Sequence, residues 1–215
     1  MKRRVARWRL LPCLAVLGLS PALALEFADY DYSPYAQTVT ECDRLAAHGS
    51  DPGRVAAGVS SSAMDKPAAI AACRAAVAAD PQNPRLNYQL ARALGYSDRG
   101  EEAMPYRDQA VARDYPQSTF VVGYLHMLGS TIEQDTCRAQ ALWVRSARYR
   151  RLAALVALPR HVMRGDFDQC DLRISDEDLA AYLAEAAGLT EDYYISMLIA
   201  VLQENLAARR QAADR

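Results

Sequence analysis

Three histidines, His48, His126 and His161, are the side chains of this sequence best suited to move a proton or hold a metal near neutral pH. None stands in a His-Glu-x-x-His frame, so zinc-peptidase chemistry is not indicated. His48 borders a loop and reads as a surface histidine. His126 and His161 fall at corresponding places in two helical segments, near the buried seam, where a structural role is expected. The sequence holds no Gly-x-Ser-x-Gly nucleophile elbow and no Gly-x-x-x-x-Gly-Lys phosphate loop. Past residue 24 its one lysine is Lys66. The acidic pairs Glu101-Glu102 and Asp176-Glu177 open helical segments, where they complement the positive helix end without glycosidase chemistry. These residue types form no catalytic constellation and require neither metal nor cofactor.

The cysteines carry a different chemistry, and the start of the chain decides which. Lys2, Arg3, Arg4, Arg7 and Arg9 precede an apolar stretch from Leu10 to Leu19, and Ala22-Leu23-Ala24 supplies a small-x-small cleavage pattern. Residues 1–24 thus read as an export signal, too short in its apolar part to span a bilayer. No later apolar stretch reaches spanning length, so no membrane association is expected after cleavage. Cys13 leaves with the signal. Cys42, Cys73, Cys137 and Cys170 remain, and an even number in an exported chain reads as two disulfides. A cysteine-histidine nucleophile would need a free thiol, which such a chain is not expected to keep. The expected location is the periplasm or the exterior.

The signal also carries five of the 25 basic residues and none of the 26 acidic ones, so the remainder has 20 against 26 and a formal charge of −6. A mildly acidic chain is a poor candidate for nucleic-acid binding, which needs a basic surface to displace counterions. Alanine, leucine and arginine dominate, and long Val/Ile/Thr alternations are absent, so the composition is helical.

Residues 25–35 are aromatic and acidic without helical period, an extended segment expected to pack on the first helices. The region 25–65 holds this segment and a first helix over 36–47. Regular alternation follows over 66–165. Asp65 caps a helix with Pro67 in its first turn and Ile70, Cys73 and Val77 on one face. Pro84 opens the next, Glu101–Asp114 the third, Pro116 the fourth, 136–147 the fifth and 150–164 the sixth. Leu90-Ala91 is echoed by Val122-Gly123 and then by Leu158-Pro159, and Pro84 by Pro116, at a period of about 34 residues. Two helices per period is the signature of a helix-turn-helix repeat solenoid, so the fold is read as all-α. Residues 166–215 supply a C-terminal helical cap, opened by Ser175-Asp176-Glu177-Asp178 and then by Thr190.

The stretch from Ala76 to Leu94, with Asp80-Pro81-Gln82-Asn83-Pro84 at its turn, resembles a tetratricopeptide helix pair, as does Arg99-Gly100-Glu101-Glu102-Ala103. Val122-Gly123-Tyr124-Leu125 to Gly129, followed by 135–147 with Trp143, is similar to the Sel-like variant of that repeat. Cys42 to Val59 resembles the lead of exported α-proteobacterial proteins of this type. The likeness covers about residues 40–165, and Pro159 departs from it where a small residue is expected. In such solenoids the first helix of each unit lines the concave face. That implies a binding surface formed by Arg85, Tyr88, Arg92 and Tyr96, then Gln117, Phe120, Tyr124 and Met127, then Val156, Arg160 and Arg164. Arginine with tyrosine suits an extended peptide that is anionic or ends in a carboxylate. Hairpin geometry in the same arrangement favours the pairings Cys42–Cys73 and Cys137–Cys170. The expectation is a monomeric, non-catalytic scaffold for a protein or peptide partner. The alternative is an accessory or regulatory subunit of an envelope enzyme, or a hydrolase with an unrecognised site.

Overall fold

The computed structural model describes residues 25–213 and 215, and the proposed export signal lies outside them. The described residues form nine helices and no strand. They are α1 (Glu41–Ala46), α2 (Lys66–Ala79), α3 (Pro84–Gly95), α4 (Gly100–Val111), α5 (Pro116–Leu128), α6 (Thr136–Arg148), α7 (Leu152–Met163), α8 (Asp176–Gly188) and α9 (Tyr193–Ala213). No helix among them is long and apolar enough to cross a membrane. Each packs chiefly on its neighbours in the chain, with α1 also reaching α3 and α7 reaching α9.

Local chemistry explains most of the boundaries. Asp65, Asn83 and Asp135 accept backbone N–H bonds at the starts of α2, α3 and α6. Thr40 and Ser175 form reciprocal capping boxes with Asp43 and Asp178. Pro84 and Pro116 sit in first turns, where a missing N–H costs nothing. Gly129 closes α5 with φ +64°, a left-handed value that favours glycine. Two expectations need correction. The first helix starts at Glu41, not residue 36, because the carbonyls of Ala36 and Thr38 accept from the buried Arg85 guanidinium instead of building a helical turn. The last helix is capped by Asp192, whose carboxylate accepts the Ile195 N–H, while Thr190 accepts only from Asp192.

Gly123 lets α5 and α6 approach closely. A Cβ there would lie 2.7 Å from the Trp143 ring and 3.2 Å from the Ala139 carbonyl. Trp143 is buried and donates its Nε1–H to the Phe120 carbonyl at 3.0 Å.

The core falls into two apolar blocks. One gathers Ile70, Leu86, Leu90 and Leu94 around Cys42 and Cys73. The other gathers Trp143, Leu155, Leu158, Phe167, Leu179, Leu183 and Ile199, with Cys170 buried among them and Cys137 packed against them. Disulfides join Cys42 to Cys73 and Cys137 to Cys170, one in each block. Between the blocks lies a seam of tyrosines, with Tyr30, Tyr88 and Tyr115 buried and Tyr32, Tyr35 and Tyr149 against them.

The aromatic segment before α1 crosses this seam rather than packing on the first helices alone. Phe27 meets Tyr182 edge-on in the C-terminal block, and the Ala28 N–H donates to the Arg148 carbonyl. Tyr30 stacks edge-on against Tyr115 and Tyr149 and donates its hydroxyl to the Arg113 carbonyl. Ala36 then meets Asn83 and Arg85 of the N-terminal block. Its aromatic spacing matches no helix period because it is read by tertiary contacts, residue by residue.

Candidate ligand-binding groove

Of the eleven residues expected to line a binding face, Phe120 and Met127 are half-buried and the other nine separate into two groups. Tyr96, Tyr124, Arg160 and Arg164 are exposed. Arg85, Tyr88, Arg92, Gln117 and Val156 are buried, with Tyr88, Arg92 and Gln117 lining a cavity rather than an open face. For Arg85 and Arg92 the cause is α1 and the loop after it, which pack over this face of α3. Arg85 donates through Nε and Nη2 to the carboxylate of Asp43 at 2.8 and 3.3 Å. Burial pushes Asp43 up, but the Thr40 N–H and hydroxyl, the Gln89 amide and the Arg85 charge together hold it below the ordinary carboxylate range. Arg92 donates to the carbonyls of Ala46, Ala47 and Val59 and so fastens the loop to α3. Gln117 donates to the Tyr88 hydroxyl at 2.9 Å and accepts from Arg151 at 2.6 Å.

Three concavities follow one another past this covered end. The first has a volume of about 320 Å³ and lies between α3, α4 and α5, with Tyr88, Arg92, Tyr96, Arg107, Phe120, Tyr124 and Arg151 in its walls and His48 at its edge. The second, about 300 Å³, is bounded by Tyr124, Met127, Trp143, His161, Arg164 and Asp166. The third, about 720 Å³, lies between α7 and α9, with Arg160, Met163, Arg164, Leu198, Val201 and Arg209. The helices supply these side chains from one turn to the next, so Tyr96, Tyr124 and Arg160 end up on successive walls.

Several contributors escaped the sequence. Arg151 precedes the first residue of α7, where the positive helix end disfavours a cation. That misplaced charge was the available signal. Asp51 sits in an Asp-Pro-Gly turn that reads as solvated surface, yet it is fully buried. It accepts the Tyr115 hydroxyl on both oxygens, at 3.0 and 2.9 Å, and the Gly53 N–H at 2.9 Å. Burial pushes its carboxyl up to about 6, against the opposing pull of those donors and of Arg151 and Arg85. Burial also lowers His48, helped by Arg92 and Arg151, and lowers Arg107 and Arg151. Nothing in the chain marks Arg107 beforehand, since it is one arginine among many on a helix.

The three histidines lie apart. His48 accepts the Ser50 N–H, His126 meets the Glu133 carbonyl, and His161 contacts Asp166 at 2.7 Å beside the Trp143 ring. Burial lowers His161, opposed by its Asp166 partner. Among the described residues no three His, Cys, Asp or Glu side chains are grouped to hold a metal ion. Compared with protein-family models, with curated proteins and with solved structures, the chain matches none.

Proposed function

We propose that this chain is an exported, non-catalytic helical-repeat protein that holds an extended peptide or a segment of a partner protein in the groove along α3, α5, α7 and α9. The observation that carries this reading is continuity. Tyr124 belongs to both the first and second concavities, and Arg164 to both the second and third. Alternate helices contributing to one face is what stacked two-helix units produce, and the period of about 34 residues agrees with such a solenoid. The groove favours an acidic segment. Arg160 makes no ion pair among the described residues, and Arg164 shares Asp166 with His161 at 3.5 Å. Tyrosine and arginine at such a surface are the side chains that concentrate binding energy. Export is supported by the two disulfides together with the signal pattern of residues 1–24. The protein acts as a monomer in this reading.

A displayed library of ten-residue peptides, panned on the disulfide-intact protein, tests the proposal. Acidic, aromatic-containing sequences are expected to be enriched, and Tyr124→Ala with Arg164→Ala is expected to weaken them at least tenfold. Absence of enrichment, or equal binding by the double variant, overturns it.

A further inference from the structure

Among the described residues four arginines are buried, and they are treated differently. Arg85 has its carboxylate, Asp43. Arg92, Arg107 and Arg151 are 7%, 7% and 6% exposed, face one cavity, and make no ion pair among the described residues. Their own hydrogen bonds are few. Arg107 reaches the Gly100 carbonyl only at 3.5 Å and the Met104 sulfur at 3.4 Å. Arg151 donates its Nε–H to Gln117 and has no other protein acceptor among the described residues. Arg92 is occupied by three loop carbonyls, yet its buried Nε has no partner. A buried cation without a paired counter-charge is unfavourable, and an anion bound in the cavity would relieve it.

Among the described residues no carboxylate lies within ion-pair distance of these three arginines, and Asp51 and Asp108 act on Arg151 and Arg107 only from farther away. The nearest buried carboxylate, Asp51, is engaged by Tyr115 and Gly53 and lies beyond ion-pair distance of Arg151. The walls indicate what else the anion carries. Arg151 lies over the Phe120 ring at 5.4 Å and Arg92 over Tyr96 at 5.2 Å, and Tyr88 and Tyr124 complete an aromatic lining. At about 320 Å³ the cavity is at the small end of sites for organic ligands, a volume suited to one ring bearing one acidic group. Guanidinium forks bind carboxylate and phosphate oxygens alike.

We propose that the cavity between α3, α4 and α5 binds a small organic oxyanion, a carboxylate or phosphate on a flat apolar body, through Arg107 and Arg151 with Arg92 as the third positive wall. This site is one end of the proposed peptide groove, but it needs only the first concavity and stands if the groove holds no peptide.

Calorimetric titration of the disulfide-intact protein with phenylacetate, phenyl phosphate, inorganic phosphate and benzyl alcohol tests it, at constant ionic strength. Phenylacetate or phenyl phosphate is expected to bind with a dissociation constant of about 1 mM or tighter. Benzyl alcohol, which keeps the ring and lacks the charge, is expected to bind at least tenfold more weakly. The relative affinity of the first two tells carboxylate from phosphate. Arg107→Met is expected to lose at least tenfold in affinity without losing thermal stability, because an unpaired buried charge is exchanged for an apolar side chain. Arg151→Gln, which keeps a hydrogen bond within reach of Gln117, is the second variant should the first unfold. Failure of both ring-bearing anions to bind overturns the proposal, as does full affinity in the folded variants. Inorganic phosphate binding as tightly as phenyl phosphate overturns the ring-binding part. An acetylated dipeptide ending in phenylalanine that binds where the two free acids do not overturns the small-ligand reading in favour of a peptide terminus.

Discussion

Asp51 shows how far a single side chain can depart from what its neighbours in sequence suggest. Between Ser50 and Pro52 it has the setting of an exposed turn, but the Tyr115 hydroxyl bonds to it from 64 residues away and the Tyr32 ring lies against neighbouring Gly53. Its folded-state value of about 6 lies above the ordinary 3.8, so folding favours the protonated form. The stability this gives is fully present below about pH 4 and is lost as pH rises through 6. At neutral pH the ionised group costs the fold about 3 kcal/mol. Asp51→Asn, neutral throughout, should therefore reduce the fall in unfolding free energy between pH 4 and pH 7 by about that amount, measured by urea unfolding at both values. An unaltered pH dependence would mean that Asp51 is ionised at no cost. Legibility at this scale follows the same line. Projecting one helix recovers Tyr96, Tyr124, Arg160 and Arg164 as surface, but cannot see that α1 and its loop cover Arg85 and Arg92.

At the scale of elements, α5 and α6 depend on the absence of one methyl group. Gly123 permits the Trp143 ring to lie against the α5 backbone, and the ring is held there by its bond to Phe120. Gly123→Val should cost about 1–3 kcal/mol through overpacking, despite the helix-propensity gain of a non-glycine residue. Chemical denaturation reads the loss, and near-ultraviolet circular dichroism reads the displaced tryptophan. Unchanged stability with an unchanged tryptophan signal would show that the two helices have slack between them. The helices themselves were largely legible because caps are local: Asp65, Pro84, Pro116 and Ser175 act within a few residues. Where a boundary was set from afar, as by Arg85 on residues 36–38, periodicity carried no trace of it. The close step at Val122-Gly123 was legible because a small residue beside a large one marks a helix crossing in the sequence itself.

The whole molecule is two apolar blocks, each with its own disulfide, joined across tyrosines and buried charges. The disulfides close loops of 31 and 33 residues, worth about 3–4 kcal/mol each in the chain-entropy account. They strengthen each block separately and do not connect the two. That connection falls to α4 and α5 and to the segment 27–36, whose contacts run from Tyr182 to Arg85. A chain beginning at Ser33 should unfold in two calorimetric steps, where one beginning at Leu25 should unfold in one. A single transition at unchanged temperature would show that the helices alone couple the blocks.

The course of residues 27–30 has a consequence for the order of events during synthesis. They are made well before their partners Tyr115, Tyr149 and Tyr182. This segment can therefore dock fully only once both halves of the molecule have been made. Until then the seam beside Asp51 lacks the Tyr30 ring that packs against Tyr115 and Tyr149.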